Sequence, residues 1–208
     1  MKRIFALVVS MAALSAVCMA QLKNATDASI KQVASANEKI TTIQCPFERT
    51  QKMEFMAEAA VSKGTFNYSK PSQLSMVYEN GEIFVINESS VSVGNKGKVR
   101  SLKATNKHVE DLASTLLKCL KGDVASLDGT LKNTEKGAKH IVYTIDVDYK
   151  VGRSDVVSLE LRYDKNDFTL VSIRLNEEDG SYTIYELQNK VLNKEIPAST
   201  YVVAKKKK

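Results

Sequence analysis

Residues 64–76 read Gly-Thr-Phe-Asn-Tyr-Ser-Lys-Pro-Ser-Gln-Leu-Ser-Met, and polar and apolar residues alternate on both sides of the proline. Such alternation is typical of strands that have one buried face and one face in water. Pro71 cannot donate a backbone hydrogen bond, so it favours a turn between two strands. The residues predicted to share the buried face are Gly64, Phe66 and Tyr68 before this turn, and Leu74 and Met76 after it.

The same period-two alternation recurs along most of the chain. Asn80-Gly81 is a strong hairpin signal, because both residues tolerate the backbone that a tight two-residue turn requires. Strands with this signature are predicted over residues 47–55, 64–68, 74–78, 83–93, 141–147, 157–163, 169–175, 182–187 and 201–203. So many strands joined by short polar turns predict one large antiparallel sheet.

Two segments have helical rather than strand periodicity. The first runs over residues 24–40, with Thr26 or Asp27 as its N-cap. The second runs over residues 107–121 and is followed by Gly122, which suits a left-handed C-terminal position. The fold class is therefore α+β and mainly β.

The predicted sheet carries large apolar side chains on one face, and two modest helices are the available cover. A second packed sheet would bury this face completely, as in a sandwich. A single sheet curled into an incomplete barrel would instead leave a partly empty apolar cavity, because two helices cannot fill it. Periodicity alone leaves both architectures open.

Composition and charge exclude several classes of protein. The chain has 208 residues, 43% of them hydrophobic and 26% charged, with nine glycines and three prolines, which excludes collagen-like, low-complexity and polytopic membrane proteins. The formal net charge is +6, and Lys2, Arg3 and the four lysines at 205–208 account for the whole excess. The remainder is neutral, and a nucleic-acid partner is not expected because phosphate binding needs basic side chains gathered on one face.

Residues 1–20 have the pattern of a secretory signal peptide, with a basic start, an apolar stretch and a small-residue exit. Cleavage is expected after Ala20. A retained anchor helix and lipidation at Cys18 are the alternatives, although the apolar run is shorter than the roughly 20 residues that span a membrane. The expected mature protein is one exported domain over residues 21–204, followed by a disordered basic tail at 205–208.

Two cysteines, Cys45 and Cys119, remain after the leader. An exported protein permits a disulfide between them, and two buried free thiols are the alternative. A zinc site is not expected, because His108 and His140 are isolated from other ligands. No nucleophile elbow and no phosphate-binding glycine loop occurs, so neither a metal, a cofactor nor an enzymatic activity is predicted.

Residues 64–76, with Phe-Glu-Arg-Thr-Gln at 47–51 before them and Ile-Phe-Val-Ile-Asn at 83–87 after them, resemble the LolA-type outer-membrane lipoprotein carrier family. The resemblance covers essentially the whole predicted mature chain. It implies an unclosed β-barrel whose helices form a lid over a hydrophobic cavity. It also implies a monomeric periplasmic carrier of acylated lipoproteins in Gram-negative bacteria, which acts without catalysis or cofactor between an inner-membrane release complex and an outer-membrane acceptor.

The resemblance assigns roles to particular residues. The expected lid residues are Ile30, Val33, Leu112 and Leu116. Lys70 matches the basic residue before the proline, often arginine in the family, and would latch the lid by binding backbone carbonyls; an ordinary solvated lysine is the alternative. The expected lipid-binding cavity residues are Phe55, Phe66, Tyr68, Leu74, Met76, Tyr143, Ile145, Leu159, Leu161 and Ile173.

Three other functions compete with the lipoprotein carrier. A carrier of another amphiphile, such as a glycolipid or phospholipid, would use the same cavity. An exported protein-interaction module would use the sheet face instead, and would need no cavity. A hydrolase is the least supported, since no catalytic motif is present.

Overall fold

The computed structural model describes residue 23 and residues 26–88, 90–95, 98–102, 107–147 and 156–203. The side chains of residues 101–102 and 107–112 are outside this description. The predicted leader at 1–20 and the lysine tail at 205–208 also lie outside the described residues.

The described strands form one twelve-stranded antiparallel sheet, which confirms the predicted single sheet. The strands are β1 (Thr42–Lys52), β2 (Ala60–Ser69), β3 (Gln73–Tyr78), β4 (Glu82–Asn87), β5 (Ser90–Asn95), β6 (Lys98–Leu102), β7 (Thr130–Lys136), β8 (His140–Asp146), β9 (Val156–Asp164), β10 (Leu170–Glu177), β11 (Tyr182–Leu187) and β12 (Val191–Leu192).

The sheet is unclosed. Its order is β6-β5-β4-β3-β2-β1-β11-β10-β9-β8-β7, with β12 paired to β1. The edge strands β6 and β7 do not pair with each other among the described residues. The sheet is therefore an incomplete barrel rather than a sandwich.

Helix α1 (Ala28–Glu38) is shorter than the predicted helix over residues 24–40. Asp27 is its N-cap and accepts a hydrogen bond from the Ser29 backbone N–H at 2.8 Å. The Ser29 hydroxyl also donates to Asp27, and together with Lys136 these donors lower the pKa of Asp27 to about 2. The Ser29 hydroxyl also lies 2.8 Å from the Tyr143 hydroxyl, which ties the start of α1 to β8.

Helix α2 (Lys107–Leu120) connects the two edge strands of the sheet. Gly122 follows the end of this helix and has a φ of 68°, the left-handed conformation that the sequence predicted. A Cβ on Gly122 would lie only 2.8 Å from the Val33 carbonyl oxygen, so the glycine permits close contact between α2 and α1. No helix among the described residues is long and apolar enough to cross a membrane.

Two short 3₁₀ segments, Val124–Ser126 and Ala198–Tyr201, complete the described elements. The second replaces the predicted strand over residues 201–203, so that prediction is wrong. The Tyr201 hydroxyl lies 2.7 Å from the Ser69 hydroxyl, and the Tyr201 side chain is buried. This contact anchors the C-terminal segment to β2 through the Tyr201 side chain, while Val202 beside it is exposed.

Candidate functional site

A large cavity lies between the inner face of the sheet and α2. Its volume is about 1050 Å³, which is at the upper end of the roughly 300–1,000 Å³ typical of ligand pockets. Fifteen of its twenty-one described lining residues are aliphatic, aromatic or methionine residues. These apolar residues are Phe66, Leu74, Met76, Tyr78, Ile83, Phe84, Val93, Val99, Leu116, Leu120, Leu170, Ile173, Leu175, Tyr185 and Leu187.

The strand register explains why one wall of the cavity is apolar. Phe66, Met76, Phe84 and Val93 are successive register partners across β2, β3, β4 and β5. Directly paired residues of an antiparallel sheet project from the same face, so these four form one row. The cavity therefore follows from the alternation in the sequence.

Four predicted cavity residues line this cavity: Phe66, Leu74, Met76 and Ile173. The first three lie on β2 and β3, within the stretch at 64–76. Ile173 lies on β10 and belongs to the opposite wall. Their role in binding lipid is an expectation that rests on this position.

Five other predicted cavity residues lie in closed core instead, and none of them is among the cavity lining: Tyr68, Tyr143, Ile145, Leu159 and Leu161. The four of these residues that lie on β8 and β9 are in closed core because the helical segments fill this part of the barrel. The Tyr163 hydroxyl of β9 donates to the Cys119 carbonyl oxygen of α2 at 2.7 Å, and the Tyr143 hydroxyl of β8 contacts Ser29 of α1.

The prediction that Phe55 lines the cavity is wrong. Strand β1 ends at Lys52, and the Phe55 side chain is 84% exposed in the following loop. The Lys52 ammonium donates to the carbonyl oxygen of Ala57 at 2.7 Å and also to that of Met56, which closes the loop. Phe55 therefore does not continue the apolar face of the strand.

The four predicted lid residues do not all cover the cavity. Ile30 and Val33 of α1 are buried in the core and do not line the cavity. Leu116 of α2 lines it, together with Leu120, which the sequence analysis did not select. Leu112 belongs to α2, but its side chain is outside the described part of the chain. Cover over the described cavity thus comes from α2.

Lys70 contacts the end of α1. Its ammonium donates hydrogen bonds to the carbonyl oxygens of Asn37 and Glu38, each at 2.8 Å. These carbonyls belong to the last turn of the helix, where a cation satisfies free acceptors and complements the helix dipole. Burial lowers the pKa of Lys70, with a smaller contribution from Lys121, and Glu38 opposes the shift. The alternative of an ordinary solvated lysine is therefore wrong.

The sequence analysis gave Arg49 no role, although it lies two residues from Phe47 and therefore on the same face of β1. The structure places it in the cavity wall, where its guanidinium lies 3.2 Å from the Glu82 carboxylate and donates to the Ser62 hydroxyl at 3.3 Å. The guanidinium carbon also lies 4.6 Å from the centre of the Tyr78 ring. A charged residue in phase with apolar ones was the signal that could have identified this position.

Cys45 and Cys119 are free and buried, so the disulfide alternative is not formed. Burial raises the pKa of each thiol to about 12, which leaves little reactive thiolate at neutral pH. Among the described residues, no group of three or more histidine, cysteine or acidic side chains is placed to hold a metal ion.

Comparison with solved structures finds a similar fold in two bacterial proteins, and a third is a weaker match. An uncharacterized conserved protein from Thermus thermophilus is 10% identical, with a TM-score of 0.52 over 83% of this chain and 92% of that one. A DUF1329 family protein from Desulfovibrio piger is 12% identical, with a TM-score of 0.50 over 84% and 96%. A LolA superfamily protein from Nitrosomonas europaea is 8% identical, with a TM-score of 0.43 over 83% and 97%.

No curated protein sequence matches the chain. The family model described as outer membrane lipoprotein carrier protein LolA, however, matches residues 38–203. That range runs from the end of α1 through every strand of the sheet and includes each described residue of the cavity wall. The chain therefore belongs to the LolA family of outer membrane lipoprotein carrier proteins.

Proposed function

We propose that this protein carries acylated lipoproteins through the periplasm by sheltering their acyl chains in the cavity. Membership of the LolA family supports a periplasmic carrier role of the lipid- or lipoprotein-binding type. The observation that carries the finer proposal is the apolar cavity of about 1050 Å³, which the described side chains of the two helices leave unfilled.

The energetics of acyl chains explain why such a cavity is needed. Each buried CH₂ group contributes about 0.8 kcal/mol, so one long acyl chain stabilises its membrane-bound state by on the order of 10 kcal/mol. A carrier must offer comparable apolar contact, yet it must release the chain again. Met76 suits this task because its flexible side chain adapts to ligands of variable shape.

The remaining parts of the proposal follow from the family. The protein would receive its cargo from an inner-membrane release complex and deliver it to an outer-membrane acceptor. The signal peptide predicted at residues 1–20 supports export to the periplasm. Members of the family are carriers rather than enzymes, which supports a role without catalysis.

The proposal is tested by extraction of a lipoprotein from membranes. Vesicles are prepared with a purified triacylated lipoprotein and its inner-membrane release complex in the bilayer. They are incubated with nucleotide and this protein, and are then sedimented. We expect the lipoprotein to appear in the supernatant as a complex with the protein, and a variant of the lipoprotein without its acylated cysteine to form no complex. A supernatant free of the acylated lipoprotein, with the release complex shown to be active on another carrier, contradicts the proposal.

Lys70 is proposed to hold α1 in place through the two carbonyls that it contacts. Replacing Lys70 with Met should lower the free energy of unfolding by about 1–2 kcal/mol, because charge-assisted hydrogen bonds are lost at the helix end. Hydrogen exchange should accelerate at the amides of α1. Lys70→Arg keeps a cation with several donors and should retain most of the stability. Equal urea midpoints for Lys70→Met and the wild type would contradict the proposal that this contact stabilises the position of α1.

A further inference from the structure

The charged residues of the cavity wall gather at one end. Glu82, Asn95 and Lys98 are successive register partners across β4, β5 and β6, and all three line the cavity. Arg49 joins them through its contact with Glu82. Arg100 lies two residues further along β6, opposite Val93, at the edge of the apolar row that runs from Phe66 to Val93. These five residues, four of them charged and Asn95 neutral, are called the charged mouth below.

The other end of the same cavity is apolar. Leu74 of β3, Leu120 of α2 and Leu170 of β10 line it there, and each is buried. Leu74 lies two residues along β3 from Met76 and four from Tyr78, so it is further from the charged mouth than either. An amphiphile would therefore enter with its acyl chains toward these leucines and leave its head at the charged mouth.

The charges of the mouth do not cancel. Arg49 and Glu82 form an ion pair, which leaves Lys98 and Arg100. Neither Lys98 nor Arg100 forms an ion pair with another residue in the described part of the chain, and both are exposed. Two positive charges beside an apolar wall create a potential that attracts anions.

We infer that the cavity also takes phospholipids with an anionic head, and that Lys98 and Arg100 bind the phosphate while the apolar wall takes the acyl chain. The inference rests on the proposed function in one respect, the entry of acyl chains into the cavity. A phosphate accepts charge-assisted hydrogen bonds from lysine and arginine, which are stronger than bonds between neutral groups.

The test compares two ligands that share one acyl chain and differ only in the phosphate. Lysophosphatidic acid and the corresponding monoacylglycerol are titrated, below their aggregation concentrations, against a fluorescent fatty-acyl probe bound to the full chain. We expect lysophosphatidic acid to bind about tenfold or more tightly than monoacylglycerol. The preference should shrink as salt is added, because the two cations are exposed.

The double variant Lys98→Gln, Arg100→Gln should reduce this preference to about one. Its matched control is Lys31→Gln, Lys139→Gln, which removes the same charge from exposed positions outside the cavity wall and should keep the preference. Circular dichroism of each variant checks that the sheet is intact.

The outcomes separate the inference from the proposed function. If both ligands bind equally well, the head site is refuted and acyl binding stands. If neither binds and the fatty-acyl probe also fails to bind, the proposed function fails together with the inference. If inorganic phosphate alone displaces lysophosphatidic acid, the site is one for free anions and the assignment to a lipid head is wrong.

Discussion

Replacing Ile173 with tryptophan should strongly weaken acyl-chain binding while the protein stays folded. Ile173 lies on β10 in the cavity wall, so a larger side chain at this position has empty space to occupy. Filling a cavity adds apolar contact without the strain that a close-packed core would impose. We expect affinity for a fatty-acyl probe to fall by about a hundredfold, or about 2.7 kcal/mol, with an unchanged or higher unfolding midpoint.

Leu161→Trp is the matched control for this experiment. Leu161 is the register partner of Ile173 on β9 and projects from the same face, but it is fully buried and does not line the cavity. The larger side chain should therefore overpack the core and cost about 1–3 kcal/mol or more. Because the natural chain has no tryptophan, each variant has a single tryptophan, whose selectively excited fluorescence reports its own surroundings. Comparable destabilisation by both substitutions would mean that the space beside Ile173 is closed core.

Replacing Gly64 with alanine should destabilise the protein by about 3 kcal/mol or more, because the added carbon has no room. An ideal Cβ on Gly64 would lie 2.2 Å from the Val77 carbonyl oxygen and 2.7 Å from the Phe47 ring. The oxygen belongs to the backbone of the adjacent strand β3, so the sheet itself must shift. The Phe47 ring also packs edge-on against Tyr78, with ring centres 4.9 Å apart. Urea unfolding measures the effect.

Gly137→Ala is the control for Gly64→Ala. The nearest atom to a Cβ at Gly137 is the His140 carbonyl oxygen at 3.5 Å, which is an ordinary contact distance. The change should be within about 1 kcal/mol of neutral, because alanine mainly reduces the freedom of the unfolded chain. If Gly64→Ala changes the free energy of unfolding as little as Gly137→Ala does, the close approach of β3 and Phe47 to Gly64 is contradicted.

The sequence predicted the central strands because each has one buried face and most are bounded by clear turn signals. It failed at the edges of the sheet. Strand β7 reads Thr-Leu-Lys-Asn-Thr-Glu-Lys and has one apolar residue, and neither it nor β6 was predicted as a strand. Edge strands are often polar because their free backbone groups would otherwise pair with other chains. Alternation of apolar residues is therefore a weak signal where a strand has one neighbour.

Phe55 was misassigned for a different reason. Residues 53–59 read Met-Glu-Phe-Met-Ala-Glu-Ala and contain no glycine, proline, asparagine, aspartate or serine. The usual turn signals were absent, so the alternation of β1 was extended through a loop. The loop is held instead by the Lys52 ammonium and by a bond from the Glu54 N–H to the Ser181 hydroxyl at 3.0 Å. The second contact joins residues far apart in the chain, and neither contact leaves a turn signal in the sequence.

The sequence identified the apolar face of the sheet but not the part of it that stays open. That division depends on where the helices dock. Single contacts such as Ser29 with Tyr143 and Cys119 with Tyr163 decide it, and they join residues far apart in the chain. Periodicity shows which side of a strand faces inward, but it cannot show what lies opposite.

The most direct test of the central claim is to locate a bound acyl chain. A triacylated lipopeptide with a diazirine at the end of one acyl chain is irradiated with the protein, and the labelled residues are mapped by peptide mass spectrometry. We predict labels in the cavity wall, on Phe66, Leu74, Met76 or Ile173. Labels confined to exposed side chains such as Phe55 or Val77, or no label on the protein, would contradict the claim.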